Sequence, residues 1–462
     1  MTPTDALAQL LQEAGIPAQA LECADLTGTD PVVPSSFRVG TAAQSTIAAA
    51  ALAASELGHQ RGVPRQRVAV DMAHAASECS GWFSLDGYVP DPWDAFSGLY
   101  RCADGHVRIH ANFAHHREGA LRLLGLDPAT ARREDAEAAL RGWNALDFEA
   151  AAARSQLVAS ALRSFAEWDA TPQAQALAAQ PLFTIERIDA PGSNPPLRLP
   201  ALSASDRPLS GLRVLDFTRI LAGPVGGRAL AAYGADVMLV NAPHLPNIAS
   251  IADTSRGKLS ALLDLRTESG QAALARLLQS THVFVQGYRP GGLDALGAGP
   301  QALAQIRPGL VYVSLTAYGT QGSWAKRRGF DSLVQTAAGF NHAEGEAAGD
   351  GQPRALPMQI LDQATGYLIA LCAAAAVLRQ QREGGSWHVQ VSLAQTAHWL
   401  RSLGRVGGGL SCPRADMAPY LETVDSGFGV LRTVRHSAQL SRTPAGWARP
   451  SMPPGSHPPV WP

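Results

Sequence analysis

Four short apolar runs, LRVLDF (Leu212–Phe217), ADVMLV (Ala235–Val240), THVFVQ (Thr281–Gln286) and LVYVSL (Leu310–Leu315), recur between stretches of helical composition. Runs of this length, rich in β-branched residues, read as strands buried on both faces. Strands alternating with helices imply right-handed crossovers and helices on both sides of the sheet, so the expected fold is α/β, doubly wound and mostly parallel. The stretch from 190 to 208, APGSNPPLRLPALSASDRP, carries enough Pro and Ser to block regular structure, and it reads as a semi-extended linker. Upstream of it the pattern changes. Residues 42–57 form an alanine-rich helical segment, Asp104-Gly105 sits between two strand-like runs as a hairpin signal, and 132–168 reads as helical. That part alone looks like an incomplete domain.

Internal similarity explains the incompleteness. Thr41–Ala76 aligns with Asp362–Ala397 without a gap, with about eleven of thirty-six positions identical. Both copies run from an alanine-rich helix through an Arg (Arg61, Arg382) and a glycine-containing turn to an alternating strand, RVAVDM in the first and HVQVSL in the second. Two unrelated alanine-rich helices are the competing explanation.

The 462 residues suffice for two or three domains with real cores. With 38 Lys+Arg against 39 Asp+Glu the net charge is −1, which gives no long-range field to gather nucleic acid or an anionic membrane. Any anionic ligand has to be held by local basic residues. Five scattered cysteines fit a reducing compartment better than a disulfide framework. Residues 1–15 read as an amphipathic helix without the basic start and apolar stretch of a signal peptide. The longest apolar run, Tyr367–Leu378, falls short of the roughly 20 residues that span a bilayer. A cytoplasmic protein is expected.

Six motifs follow one another in a fixed order: LSGLRVLDFTRILAGPVGG from Leu209, YGADVMLV from Tyr233, RGKLSALLDLR from Arg256, FVQGYRPGGLDALG from Phe284, TAYGTQGSWAKRRGFDSLVQTAAG from Thr316 and LDQATGY from Leu361. In these, residues 209–403 resemble the family III CoA-transferases of the CaiB/BaiF type, the group of formyl-CoA and L-carnitine or bile-acid CoA-transferases. The resemblance implies a Rossmann-like domain, a smaller α+β domain and an interlocked homodimer. It also implies an order that this chain departs from. YRCADGHVRIHANF from Tyr100 and FAEWDATPQ from Phe165 resemble the family's small domain but lie before the α/β domain instead of after it. The expected organisation is therefore a degenerate half-unit over 1–190, small-domain-like from about 90, then the linker 191–208. The Rossmann-like domain follows over 209–403, with a Gly/Pro-rich tail over 404–462.

The chemistry implied by the resemblance is transfer of CoA from an acyl-CoA to a carboxylic acid. The carrier is an aspartate that becomes a mixed anhydride and then an aspartyl-CoA thioester. No permanent cofactor or metal is required. Asp362, in LDQATGY, matches the nucleophile, and its place at a helix start favours an ionised carboxylate. Aspartate is also a preferred helix cap, and capping alone is the competing role. The repeat places Thr41 at the equivalent position, which can cap but cannot form an anhydride, so one nucleophile per chain is expected.

By motif position Arg266, Gly287, Tyr288 and Arg328 match CoA-contacting residues, and Arg256, Lys258 and Arg289 are added as further phosphate ligands. Ala295 and Asn241 stand where the family often has a basic and an acidic residue, and Leu221 stands where formyl-CoA transferase has a glutamine. Phe330 occupies the position of a histidine in the α-methylacyl-CoA racemases of the same fold, so acyl-CoA racemization ranks below CoA transfer. A catalytically silent CoA-binding or assembly subunit is the other alternative. Gly407–Gly409 are weighed as a lid and read instead as a linker, and His115-His116 read as a surface pair.

Overall fold

The computed structural model describes every residue except Pro191 and Ser193, which fall in the expected linker. Its centre is a seven-stranded sheet. In chain order the strands are β1 (Phe183–Arg187), β2 (Arg213–Phe217), β3 (Asp236–Asn241), β4 (Lys258–Leu262), β5 (Val283–Gln286), β6 (Val311–Thr316) and β7 (Trp387–Ser392). Their spatial order is β4-β3-β2-β5-β6-β7-β1. All pairings are parallel except β7 with β1, where Val389 faces Ile185 across an antiparallel register. The six parallel strands run in the order of a Rossmann fold, and the direction of winding reverses between β2 and β5.

Alternate residues of each strand feed two different cores, which is why the runs read as continuously apolar. Val214, Val237, Val285 and Val313 lie in one. Leu215, Met238, Phe284 and Tyr312 lie in the other, so both faces of the sheet are covered. β1 comes from upstream of the linker and closes the sheet's edge beside the second repeat copy.

The two copies fold alike. Helix Val39–Gln60 leads through strand Val68–Asp71 to helix Met72–Cys79, and helix Ile360–Glu383 leads through β7 to helix Leu393–Ser402. The two long helices pack on each other through alanines, with Ala48–Ala54 and Ala373–Ala376 all buried. Small side chains on both faces let the backbones approach closely. Ile360–Glu383 extends well beyond the apolar run Tyr367–Leu378 and is long and apolar enough to cross a bilayer. Here, however, 94% of its most apolar stretch is buried inside the fold.

A smaller α+β unit hangs on this frame. Strands Gly98–Arg101, His106–Ile109 and Ala159–Ala161 form an antiparallel sheet, covered by helices Ala114–Leu123, Arg133–Leu140 and Ala145–Arg154. The sheet packs on helix Asp331–Ala337 of the Rossmann-like part. The described linker residues are pinned, because Arg61 donates to the carbonyls of Pro200 at 2.9 Å and Ser210 at 2.7 Å. Residues after 404 return to the body: strand Gly429–Val434 pairs with Phe83–Leu85, and the His436 ring bonds the buried Glu78 carboxylate at 3.0 Å.

Candidate active site

Parallel strands leave their carboxyl ends open to ligand where the winding reverses. A cavity of about 590 Å³ lies there. The loop after β2 supplies Arg219, Ile220, Leu221 and Ala222, and the loop after β5 supplies Gly287, Tyr288 and Arg289. Asn241 from the end of β3, Arg266 after β4 and Leu393 after β7 also line it. Phe113, His115 and His116, from the smaller unit upstream of the linker, complete the wall in the same chain.

Asp362 opens into this cavity and is 9% exposed. It is the third residue of helix Ile360–Glu383, one turn further in than the cap position expected from sequence. The cap is supplied from elsewhere. Gln359 precedes the helix without a side-chain bond, while the fully buried Asp331 carboxylate accepts the Asp362 N–H at 2.9 Å and the Leu361 N–H as well. Because Asp331 satisfies the helix start, the Asp362 side chain is released from capping. Asp362 instead faces the backbone N–H of Ala222, the first residue of helix Ala222–Ala232, which favours its ionised form.

Two features bring that N–H into place. Gly366 and Gly226 let the two helices cross almost backbone to backbone, since a Cβ on Gly366 would stand 2.7 Å from the Ala222 carbonyl oxygen. Ile220 just before the helix adopts φ +76°, a strained conformation for a β-branched residue and one found where a site imposes it.

Two carboxyls this close cannot both ionise freely. Burial raises Asp331 to about 7, and its hydrogen bonds from Asp362 N–H, Gln335 and Leu361 N–H, with the charge of Arg108, oppose the rise. Burial, then the Asp331 charge, push Asp362 well above the usual carboxylate range. Asp331, with more donors, is the better-stabilised anion, and Asp362 keeps its proton until a ligand or higher pH removes it.

The expected CoA contacts divide. Arg266, Gly287, Tyr288, Arg289 and Arg328 all line the cavity with Asp362. Arg266 is already held in a two-point pair with Asp264 at 2.7 and 2.8 Å. The structure does not bring Arg256 and Lys258 to the cavity. Arg256 is buried between Asp253 at 2.7 Å and Glu422 at 2.9 Å, over the ring of Trp447. Lys258 is fully buried, with its Nζ donating to Asp216 at 2.8 Å and to the Pro224 carbonyl at 2.7 Å. Both charges neutralise internal carboxylates, a role that residue type and spacing do not reveal.

Leu221 and Asn241 stand in the cavity wall, whereas Gly407–Gly409 do not. His116 corrects the surface expectation: it is 5% exposed and lines the cavity. Phe330 also lines it, stacked on the buried ring of His110 at 4.0 Å. Asp331, Arg108 and Arg219 are not singled out by the sequence, and the one sequence signal for Asp331 is its place directly after Phe330 in RGFDS.

A family model described as CoA-transferase family III matches residues 209–403. The chain is 36% identical over 210 residues to the probable fatty acyl-CoA transferase of Mycobacterium tuberculosis, covering 42% of this chain and 53% of that protein. It is 30% identical over 332 residues to an acyl-CoA transferase of Gibberella moniliformis, covering 70% and 54%. Over 205 residues it is 34% identical to a succinate–glutarate CoA-transferase of Agrobacterium fabrum, covering 40% and 51%. A solved structure of a CAIB/BAIF family protein from Brucella suis shares 26% identity over 49% of this chain and 65% of that one, with a TM-score of 0.37. The chain thus spans about half the length of the curated relatives it matches. With the six ordered motifs and the parallel sheet that carries them, residues 209–403 belong to CoA-transferase family III.

Proposed function

We propose that the chain transfers coenzyme A between carboxylic acids, with Asp362 as the covalent carrier. One observation carries the reading: the Asp362 carboxyl faces a cavity of about 590 Å³ while Asp331, not Asp362, caps its helix. The names of the similar proteins, acyl-CoA and succinate–glutarate CoA-transferases, support the same class of reaction.

In the first step the Asp362 carboxylate attacks the thioester carbonyl carbon, the C–S bond breaks, and CoA leaves as thiolate from a mixed anhydride. The thiolate then attacks the Asp362 carbonyl carbon and expels the donor acid as its carboxylate, leaving an aspartyl-CoA thioester. An acceptor carboxylate attacks that thioester and releases the thiolate again. Return of the thiolate to the acyl carbon frees Asp362. One thioester replaces another, so the exchange is nearly isoenergetic, and the gain lies in dividing one displacement into easier ones. Attack requires ionised Asp362, and the Ala222 N–H favours that form. The CoA phosphates are assigned to Arg219, Arg289 and Arg328 at the cavity rim, with Arg266 available once its pair with Asp264 opens.

The test is to incubate the protein with a panel of acyl-CoA donors, quench with hydroxylamine and locate the hydroxamate by mass spectrometry. An adduct confined to Asp362 is expected. No adduct with any donor across the panel overturns the proposal.

A further inference from the structure

His116 lines the cavity, and the transfer chemistry above leaves it unused. It sits in the first turn of helix Ala114–Leu123, its backbone N–H bonded to the Phe113 carbonyl at 2.9 Å. Its ring is boxed by Phe113 at 5.9 Å, His115 at 4.0 Å and Phe330 at 6.1 Å. Among the described residues neither ring nitrogen has a hydrogen-bond partner, although both are buried. Burial, with His115 and Arg328 nearby, holds the imidazole down to about 3, so the ring is neutral at physiological pH and carries one N–H donor and one lone pair.

A buried donor without a partner is costly, and a cavity wall that keeps one gains when the ligand brings the missing oxygen. Around His116 the wall offers the rings of Phe113 and Phe330, with the Arg219 guanidinium over the ring of Phe113 and Arg328 nearby, a setting that suits a carbon chain carrying oxygen. We propose that His116 is a specificity residue that donates a hydrogen bond to an oxygen on the acyl chain beyond the thioester, so that the site takes oxygenated acyl groups in preference to plain hydrocarbon ones. The inference rests on the reading of the cavity as a CoA-thioester site.

Binding measured without turnover separates the two. Calorimetry with CoA itself and with three non-reactive thioethers, S-butyl-CoA, S-(3-hydroxybutyl)-CoA and S-(3-carboxypropyl)-CoA, reports the preference directly. At least one of the two oxygenated ligands is expected to bind about tenfold more tightly than S-butyl-CoA, the loss of one hydrogen bond to a buried donor. The two arms show whether an uncharged hydroxyl or a second carboxylate is taken. His116→Phe should bring all three thioethers level, and His116→Asn, which keeps a donor, should restore part of the difference. Equal binding of the three to the unaltered protein, or a preference that survives His116→Phe, overturns the role of His116 while leaving the CoA site standing. If neither CoA nor any thioether binds, the CoA-site reading falls and this proposal with it.

Discussion

The two repeat copies begin their long helices with the same device and different contents. In the first, the Asp30 carboxylate accepts the Gly40 and Thr41 N–H groups at 3.0 Å each and takes the Thr41 hydroxyl at 2.6 Å. In the second, Asp331 accepts the N–H groups at the two matching positions, Leu361 and Asp362. A distant carboxylate caps the helix in both. What differs is the side chain at the aligned position: the Thr41 hydroxyl turns back into its own cap and is fully buried, whereas the Asp362 carboxyl repels its cap and points to a cavity. An external cap thus leaves the aligned residue without a structural duty, and one copy has filled that freedom with a second hydrogen bond, the other with a reactive group.

The strongest test of this contrast is removal of the group. Asp362→Asn should lower transfer by on the order of 10³-fold or more, the scale of losing a covalent nucleophile, with the melting temperature unchanged or raised. Transferase assays and thermal unfolding on one preparation check both. The reciprocal exchange, Thr41→Asp, should create no activity. It would bury a second carboxylate against Asp30 with no cavity to relieve it, at a cost on the order of 3 kcal/mol in denaturant unfolding. A hydroxamate on residue 41 of that variant would end the distinction between the copies.

Asp331→Asn probes the coupling. Because the folded Asp331 sits at about 7, above its unfolded value of roughly 4, the native state binds the extra proton between those limits. Its contribution to stability is therefore full below pH 4 and is lost as pH rises through 7. The variant should flatten that decline, by on the order of 2 kcal/mol between pH 5 and 8. With the neighbouring charge gone Asp362 ionises more readily, so the acid limb of the pH–rate profile should move to lower pH. An unmoved limb would show that the two carboxyls do not communicate. The smallest effect is expected for Asp30→Ala, which removes a cap remote from the cavity: about 1 to 2 kcal/mol of stability, with transfer at saturating substrate unchanged.

Much of this was readable beforehand because it depends on local pattern. The parallel strands follow from apolar runs, the repeat from direct alignment, and Asp362 from its motif. What could not be read depends on partners far along the chain. Lys258 looks like a phosphate ligand until Asp216, forty-two residues earlier, is found beside it two strands over in the same sheet. His115-His116 looks polar until the smaller unit docks and carries His116 under Phe330. Strand β1, FTIER, alternates weakly and abuts a proline-rich stretch, so nothing local marks it as the sheet's seventh member.

That seventh strand sets a schedule for synthesis. Phe183–Arg187 can pair only with β7, about 200 residues later, and helix Val39–Gln60 waits for Ile360–Glu383 over a longer interval still. At roughly 5 to 20 residues per second a ribosome needs some 10 to 40 s to deliver the partner strand. Throughout that interval an alanine-rich helix and an unpaired strand stand exposed in the nascent polypeptide, so its yield in a cell should depend on chaperone supply far more than its final stability would suggest.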